Sequence, residues 1–245
     1  MNLFTKRFLT LTLSMVAMVS LSQAQTLESI LASHYEVMGY EKLTKVAGIT
    51  MEGVMNMETP QGPMELEMKN IKTQDGKSFS EVTIPQFGMT VKTVFDGEEG
   101  WMINPMQGEK AQPMPEEALE SVKEQASIAG PLYNYEENGY KVSLEGESDV
   151  DGSPTFKLKV EKEGSENVSY YHLDQEAFVI LKIEQSNFMQ GQLIEAEVFP
   201  GNYKAVDGIM FPFSMETSAG GQEMEMIFDT IEINEEVDQS LFEKP

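Results

Sequence analysis

Hydrophobic and polar residues alternate along most of the chain from Ile49 to Phe228. A period of two puts successive side chains on opposite faces of a β-strand, so each run predicts a strand with one apolar face. Turn signals such as Asp75-Gly76 separate the runs, and they divide the chain into roughly eleven strands. Representative apolar positions are Met51, Gly53, Met55 and Met57; Met64, Leu66 and Met68; Phe156, Leu158 and Val160; Phe211, Phe213 and Met215; and Met224, Met226 and Phe228.

This alternation is typical of antiparallel sheets that expose one face to water. A single sheet of about eleven strands must curl or close on itself. The chain has no strand–helix–strand rhythm and no long linker. The pattern therefore predicts a mainly β fold, and residues 25–245 are expected to form one domain.

Two segments have helical rather than strand periodicity. From Thr26 to Met38 the apolar positions recur every three or four residues, Thr26 can cap the helix, and Gly39 can end it. A short piece at 41–46 follows. A second amphipathic segment has Pro115 at its first helical position and is ended by Gly130-Pro131, and Ala118, Leu119, Val122 and Ala126 share one face. We expect two or three helices, placed over the concave face of the curved sheet.

The first 24 residues have the pattern of a secretory signal peptide. Lys6 and Arg7 precede a mostly apolar stretch from Phe8 to Leu21, and a cut after Ala24 is expected. The sequence thus predicts export to the periplasm. Without cysteine, neither disulfides nor lipid attachment to a cysteine is expected.

The chain is strongly acidic, with a formal charge of −24, which becomes −26 once Lys6 and Arg7 leave with the signal peptide. Such a surface repels nucleic acid and anionic headgroups, so neither a nucleic-acid partner nor stable membrane insertion is expected. Arg7 is the sole arginine, so the mature chain has no guanidinium group for bidentate contacts.

The sequence offers little for catalysis. It has two histidines, of which His34 is interpreted as a packed helix residue and His172 as a strand-face residue. No nucleophile motif and no metal-binding spacing occurs. The run from Asp149 to Gly152 is interpreted as a solvated turn rather than a calcium loop. We therefore expect no catalytic residues, no metal and no cofactor, although a carboxylate pair acting as a hydrolase stays open.

Methionine is unusually frequent, and fifteen of the 18 methionines lie after the signal peptide. Methionine fills irregular cores, and it also lines sites that accept varied apolar ligands. Both readings stay open, but a wide curled sheet encloses more space than side chains fill. The candidate wall residues are Met55, Met57, Leu66, Met68, Met89, Val91, Trp101, Phe211, Phe213, Met224 and Met226.

The single tryptophan lies in the stretch VFDGEEGWMINPMQG, residues 94–108. Asp96-Gly97 predicts a hairpin turn, and Asn104-Pro105 predicts the end of the second strand. Trp101 is interpreted first as a prop between sheet and lid, and second as a ligand contact.

The same stretch carries a family resemblance. Its run from Phe95 to Pro105 resembles the DG-x-x-x-W-x-(apolar)-x-P segment of the periplasmic lipoprotein-sorting carriers, the LolA-like family. Gly201 to Pro212 is similar to a G-x-Y-x-x-x-(D/N)-G-(apolar)-x-(F/Y)-P run in relatives of that family, and Tyr171 to Asp174 also fits. The resemblance implies an incomplete antiparallel barrel of about eleven strands with a helical lid over an apolar cavity.

That family implies a non-catalytic, monomeric carrier of acylated lipoproteins or other acyl-chain lipids that meets a membrane receptor. The family's lid is latched by an arginine inside the barrel, and no residue here can take that role. Three functions therefore stay open: a lipid carrier or binding protein, a sensor or interaction module that binds a protein partner, and a hydrolase.

Overall fold

A computed structural model describes residues 25–60, 62–189 and 192–245. The predicted signal peptide, 1–24, lies outside the described residues. In the part of the chain that is described, no helix has the length and apolarity to cross a membrane.

Within the described residues, thirteen strands form one antiparallel sheet in the order β6-β5-β4-β3-β2-β1-β13-β12-β11-β10-β9-β8-β7. The two edge strands, β6 and β7, do not pair, so the barrel is incomplete. The prediction of a mainly β, half-closed antiparallel barrel is confirmed. The strands are β1 Gly48–Thr59, β2 Gly62–Thr73, β3 Ser78–Ile84, β4 Met89–Phe95, β5 Gly100–Asn104, β6 Gly108–Pro113, β7 Tyr140–Val150, β8 Ser153–Lys162, β9 Val168–Asp174, β10 Ile180–Met189, β11 Gln192–Val206, β12 Ile209–Ala219 and β13 Gln222–Asn234.

The strand count exceeds the expected eleven partly because β6 has the sequence GEKAQP, which lacks apolar alternation. Its pairing with β5 supplies the backbone hydrogen bonds that define it. Tertiary pairing, rather than a hydrophobic pattern, therefore makes this segment a strand.

The described part of the chain has three α-helices beside the sheet: α1 Leu27–Met38, α2 Tyr40–Leu43 and α3 Glu116–Ala126. Thr26 and Ser29 form a reciprocal capping box at the start of α1. Gly39 ends α1 in the left-handed conformation, with φ of 73°. A Cβ at Gly39 would collide with the carbonyl oxygen of Gly208, so glycine also lets α1 and α2 approach the β11–β12 turn.

Cross-strand register assigns each residue to a face of the sheet. The concave face carries two apolar clusters, one under α1 and one under α2. A third cluster lies on the convex face, where the C-terminal segment, residues 235–245, covers Ile71, Phe79 and Val94. The hairpin turns at Pro60, Phe87, Met106 and Gly220 lie together at one end of the strands, which we call the rim.

Candidate functional site: an apolar concave face under a helical lid

A band of methionines crosses the central strands on the concave face. Met55 on β1 pairs with Leu66 on β2 and with Met226 on β13, and Met226 pairs with Met215 on β12. Directly opposed residues in a sheet point to the same side, so these side chains form one continuous row. The neighbouring row toward the rim contains Met57, Met64 and Met224.

The predicted wall residues divide into those that face the helices and those that stay open. Met68 and Phe213 are buried, and both pack in the cluster that contains Tyr40 and Leu43 of α2. Met55, Phe211 and Met226 lie at the margin of that cluster.

Nearer the rim, Met57 and Met224 line a pocket of about 660 Å³. Met89 and Val91 on β4 are partly buried, and register places them on the concave face beside Ile84 and Val82. Except for Trp101, the predicted wall residues therefore share one face of the sheet.

Trp101 lies on the opposite, convex face. It pairs with Val94, which pairs with Phe79, and this row packs against Phe242 of the C-terminal segment. Trp101 is 4% exposed. The expectation that it props the lid was wrong, because strand alternation shows that β5 has an apolar side but not which cover it meets.

Two tyrosine hydroxyls hold the lid segment, residues 127–133, over the concave face. The Tyr35 hydroxyl donates to the carbonyl of Leu132, and the Tyr40 hydroxyl donates to the carbonyl of Ala129 at 2.9 Å. The ring of Tyr133 stacks on Tyr40 with centroids 5.0 Å apart. Burial raises the pKa of Tyr35 to about 12, so this donor stays protonated at neutral pH.

These hydroxyls join helix side chains to the backbone of the lid segment. The family resemblance implies an arginine inside the barrel as the latch, and this chain has no arginine after Arg7. Local patterns do not mark the two tyrosine contacts, since tyrosines on an apolar helix face are ordinary core residues.

Helix α3 bridges the gap between the two edges of the sheet. At one side, Met114 and Leu119 lie so close to Gly100 on β5 that a Cβ there would be 2.7 Å from the Met114 sulfur and 2.9 Å from Leu119 Cδ1. At the other side, Lys162 of β8 forms an ion pair with Glu124 at 2.9 Å. The helix therefore covers the opening that unpaired β6 and β7 leave.

The two histidines have different partners and do not form a common site. His34 is fully buried, and its Nδ1 donates to the carbonyl of Phe178 at 2.7 Å. Burial lowers the pKa of His34, so the ring is neutral at pH 7. Its interpretation as a packed helix residue is confirmed.

His172 lies on the convex face of β9, where its Nε2 is 3.4 Å from Glu184. Lys157 and Lys182 contact the same carboxylate, at 2.8 and 3.2 Å. Burial lowers the pKa of His172 despite that carboxylate. The cluster is an ionic surface network on the side opposite the apolar wall.

A second pocket, of about 720 Å³, lies on the convex face under the C-terminal segment. Its lining mixes Ile71, Phe79 and Val94 with the charged side chains of Lys69 and Glu81. The rim pocket also has a mixed lining, since Glu58, Glu65, Glu216, Glu223 and Glu225 line it together with Met57, Met64 and Met224. Of the two pockets, it is the one that adjoins the methionine band.

No protein-family model matches the chain, and no curated protein matches it. Solved structures do match it. A LolA superfamily protein from Nitrosomonas europaea is 14% identical, with a TM-score of 0.62 over 90% of this chain and 99% of that one. A DUF1329 family protein from Desulfovibrio piger is 14% identical, with a TM-score of 0.62 over 87% and 97% of the two chains.

A domain from Vibrio parahaemolyticus, named as a candidate outer membrane lipoprotein-sorting protein, is also 14% identical, with a TM-score of 0.57 over 87% and 97%. At such identity the similarity establishes the fold alone. The protein has a LolA-like fold, an open antiparallel barrel with a helical lid.

Proposed function

We propose that this protein is a non-catalytic periplasmic carrier or binding protein for lipoproteins or other acyl-chain lipids. The observation that carries the proposal is the methionine band on the concave face. Its members at the rim, Met57, Met64 and Met224, are only partly buried. Apolar surface that the lid leaves uncovered gains free energy when an acyl chain covers it, at about 25 cal/mol per Å² before ordering costs.

The shape of the wall also supports an acyl ligand. Methionine side chains are unbranched and flexible, so a surface built from them adapts to chains of different length. Three large apolar side chains at strand ends point into solvent: Phe87 is 62% exposed, Met106 68% and Leu193 50%. Phe87 and Met106 belong to the rim turns, so an acyl chain that entered there would meet apolar surface first.

The fold comparison adds support at a coarser level. Two of the similar structures are named for the LolA superfamily or for lipoprotein sorting. In this chain, which has no arginine after Arg7, Tyr35 and Tyr40 hold the lid over the apolar face.

Native mass spectrometry with lipid extraction, on protein purified from its own periplasm, tests the proposal directly. We expect a co-purifying lipid or acylated peptide in stoichiometric amount. One stoichiometric protein partner without lipid would instead favour an interaction module, and the carrier proposal would then be wrong.

A pair of neighbouring residues gives a matched mutational test. Met226 belongs to the concave band, whereas Ile227 pairs with Val54 and Ser214 on the convex face, and both side chains are partly buried. Met226→Glu places a charge in the wall, so we expect loss of binding of a neutral fluorescent acyl probe by about tenfold or more. Ile227→Glu is expected to leave binding within about twofold. Equal effects of the two variants would contradict an acyl site on the concave face.

A further inference from the structure

Part of the concave face is polar. Register places Lys72 of β2 between Ile49 of β1 and Ser78 of β3, and the next row contains Asn70, Ser80 and Thr93. We call Asn70, Lys72, Ser78, Ser80 and Thr93 the polar strip. All five side chains are partly buried, and among the described residues none has a side-chain hydrogen bond or an ion pair within the protein.

Lys72 differs from lysines in comparable positions. Lys162 is a second partly buried lysine on the concave side, and it has ion pairs with Glu120 and Glu124 of α3. On the convex face of β2, Lys69 lies 2.6 Å from Glu52. Among the described side chains no carboxylate pairs with Lys72, and burial lowers its pKa to about 8.

A partly buried ammonium without a counter-charge is costly, and a protein with 41 acidic residues has many available partners. At pH 7 the amine is still mostly protonated, given a pKa of about 8. A bound anion would supply the missing partner, while Asn70, Ser78, Ser80 and Thr93 offer further hydrogen-bond donors nearby.

We infer that Lys72 and the polar strip bind the anionic headgroup of an acyl ligand whose chain lies along the methionine band. The inference rests on the proposed function and names the ligand class as anionic amphiphiles with a carboxylate or a phosphate. On β2, Lys72 and Leu66 of the methionine band are six residues apart, which corresponds to about 20 Å along the strand. A long acyl chain spans such a distance.

The test measures displacement of the neutral probe N-phenyl-1-naphthylamine by three ligands with the same number of carbon atoms: palmitate, hexadecyl phosphate and hexadecanol. Titrations at about 0.15 M salt reduce the long-range repulsion from surface acids, since the Debye length is then about 8 Å. The variants are Lys72→Met, which keeps a flexible apolar stem without the charge, and Lys69→Met as the control on the same strand.

For the unmodified protein we expect palmitate or hexadecyl phosphate to bind about tenfold tighter than hexadecanol. Lys72→Met is expected to remove that preference and to leave hexadecanol binding within about twofold, whereas Lys69→Met changes neither. Whichever anion binds tighter identifies the headgroup as fatty-acid carboxylate or as phosphate.

Each alternative result has a distinct meaning. If hexadecanol binds as tightly as both anions, or if Lys72→Met keeps the preference, the headgroup inference is wrong and the apolar site stands. If none of the three ligands binds, the headgroup inference and the proposed function both fail. Urea unfolding of Lys72→Met checks that the variant is folded, and its stability is expected to equal or exceed that of the parent because a desolvated charge is removed.

Discussion

The two wings of the sheet have the same alternating pattern, yet their apolar clusters lie on different faces. On the β7–β9 wing the apolar side chains point to the concave face, where Leu158 and Leu173 are fully buried beneath α1. On the β3–β5 wing an apolar cluster lies on the convex face, where Trp101 packs against the C-terminal Phe242. The concave side of that second wing is mixed, since Phe95 is buried there while Ser80 and Thr93 are polar.

This difference shows that the covering segment, rather than the strand, decides which face becomes core. A strand needs one apolar side, but any apolar segment that reaches the sheet can bury it. Because the C-terminal segment covers the convex side of the β3–β5 wing, polar residues such as Ser80 and Thr93 can lie on its concave side. We call the β7–β9 wing the filled wing, and we call the β3–β5 wing, where the proposed headgroup would lie, the open wing.

Trp101→Ala is expected to have the largest effect on stability. It removes the biggest side chain of the convex cluster, so we expect a loss of about 3–5 kcal/mol in the free energy of unfolding, measured with urea. Hexadecanol binding should change by less than about twofold, because Trp101 faces away from the wall.

Phe242→Ala is the partner variant for this face. It uncovers Trp101, so we expect a red-shifted tryptophan emission together with a smaller loss of stability. A large loss of acyl binding in Trp101→Ala, with the protein still folded, would show that the two faces are not independent.

A second prediction compares the two concave surfaces directly. Leu158→Ala on the filled wing is expected to lower the free energy of unfolding by about 2–4 kcal/mol, because the side chain is fully buried under α1. Met89→Ala on the open wing should cost less than about 1 kcal/mol, since Met89 is only partly buried. Similar losses in the two variants would contradict the division into a filled and an open wing.

The smallest expected effect is the pH dependence that Glu184, on the convex face of β10, gives to the free energy of unfolding. Burial raises the pKa of Glu184, but hydrogen bonds from Lys157 and Lys182 outweigh it and lower the pKa to about 2. A depressed carboxylate pKa stabilises the fold above its ordinary value near 4.5, and this contribution is lost as pH falls from there toward 2.

Because the Glu184 side chain is about one-third exposed, we expect the contribution to be about 1 kcal/mol. Urea unfolding from pH 6 to pH 3 measures it, and Glu184→Gln should flatten that part of the profile. Glu81→Gln, which removes a single ion pair with Lys92 on the other wing, is the control and should change stability by less than about 0.5 kcal/mol. Identical pH profiles for Glu184→Gln and the parent would refute the assignment.

Much of the architecture was predictable from the sequence because period-two alternation and helix capping are local signals. Thr26 and Gly39 bound α1 as expected, and Met55, Leu66 and Met226 share a face because alternation puts them there. The strand β6 was missed because pairing with β5 defines it, without an apolar pattern of its own.

Which face of the sheet, concave or convex, each row of side chains occupies was not predictable from the sequence. In the sequence, Trp101 follows the same alternation that a residue on the concave face would follow. Only its contact with Phe242, far along the chain, shows that it lies on the convex face. Lys72 likewise follows the strand alternation. Only the assembled strands β1, β2 and β3 show that no described carboxylate pairs with its side chain. Such features depend on contacts between distant segments, which local patterns do not encode.

The connection between the edge strands has a mechanical consequence. The chain leaves β6 at Pro113, at the end of the strands away from the rim, and enters β7 at Tyr140, at the rim, so residues 114–139 run diagonally across the opening. Residues 114–139 therefore both cover the barrel and connect its two edge strands, β6 and β7. If the two edges spread, the segment that joins them, which also covers the barrel, would have to move with them.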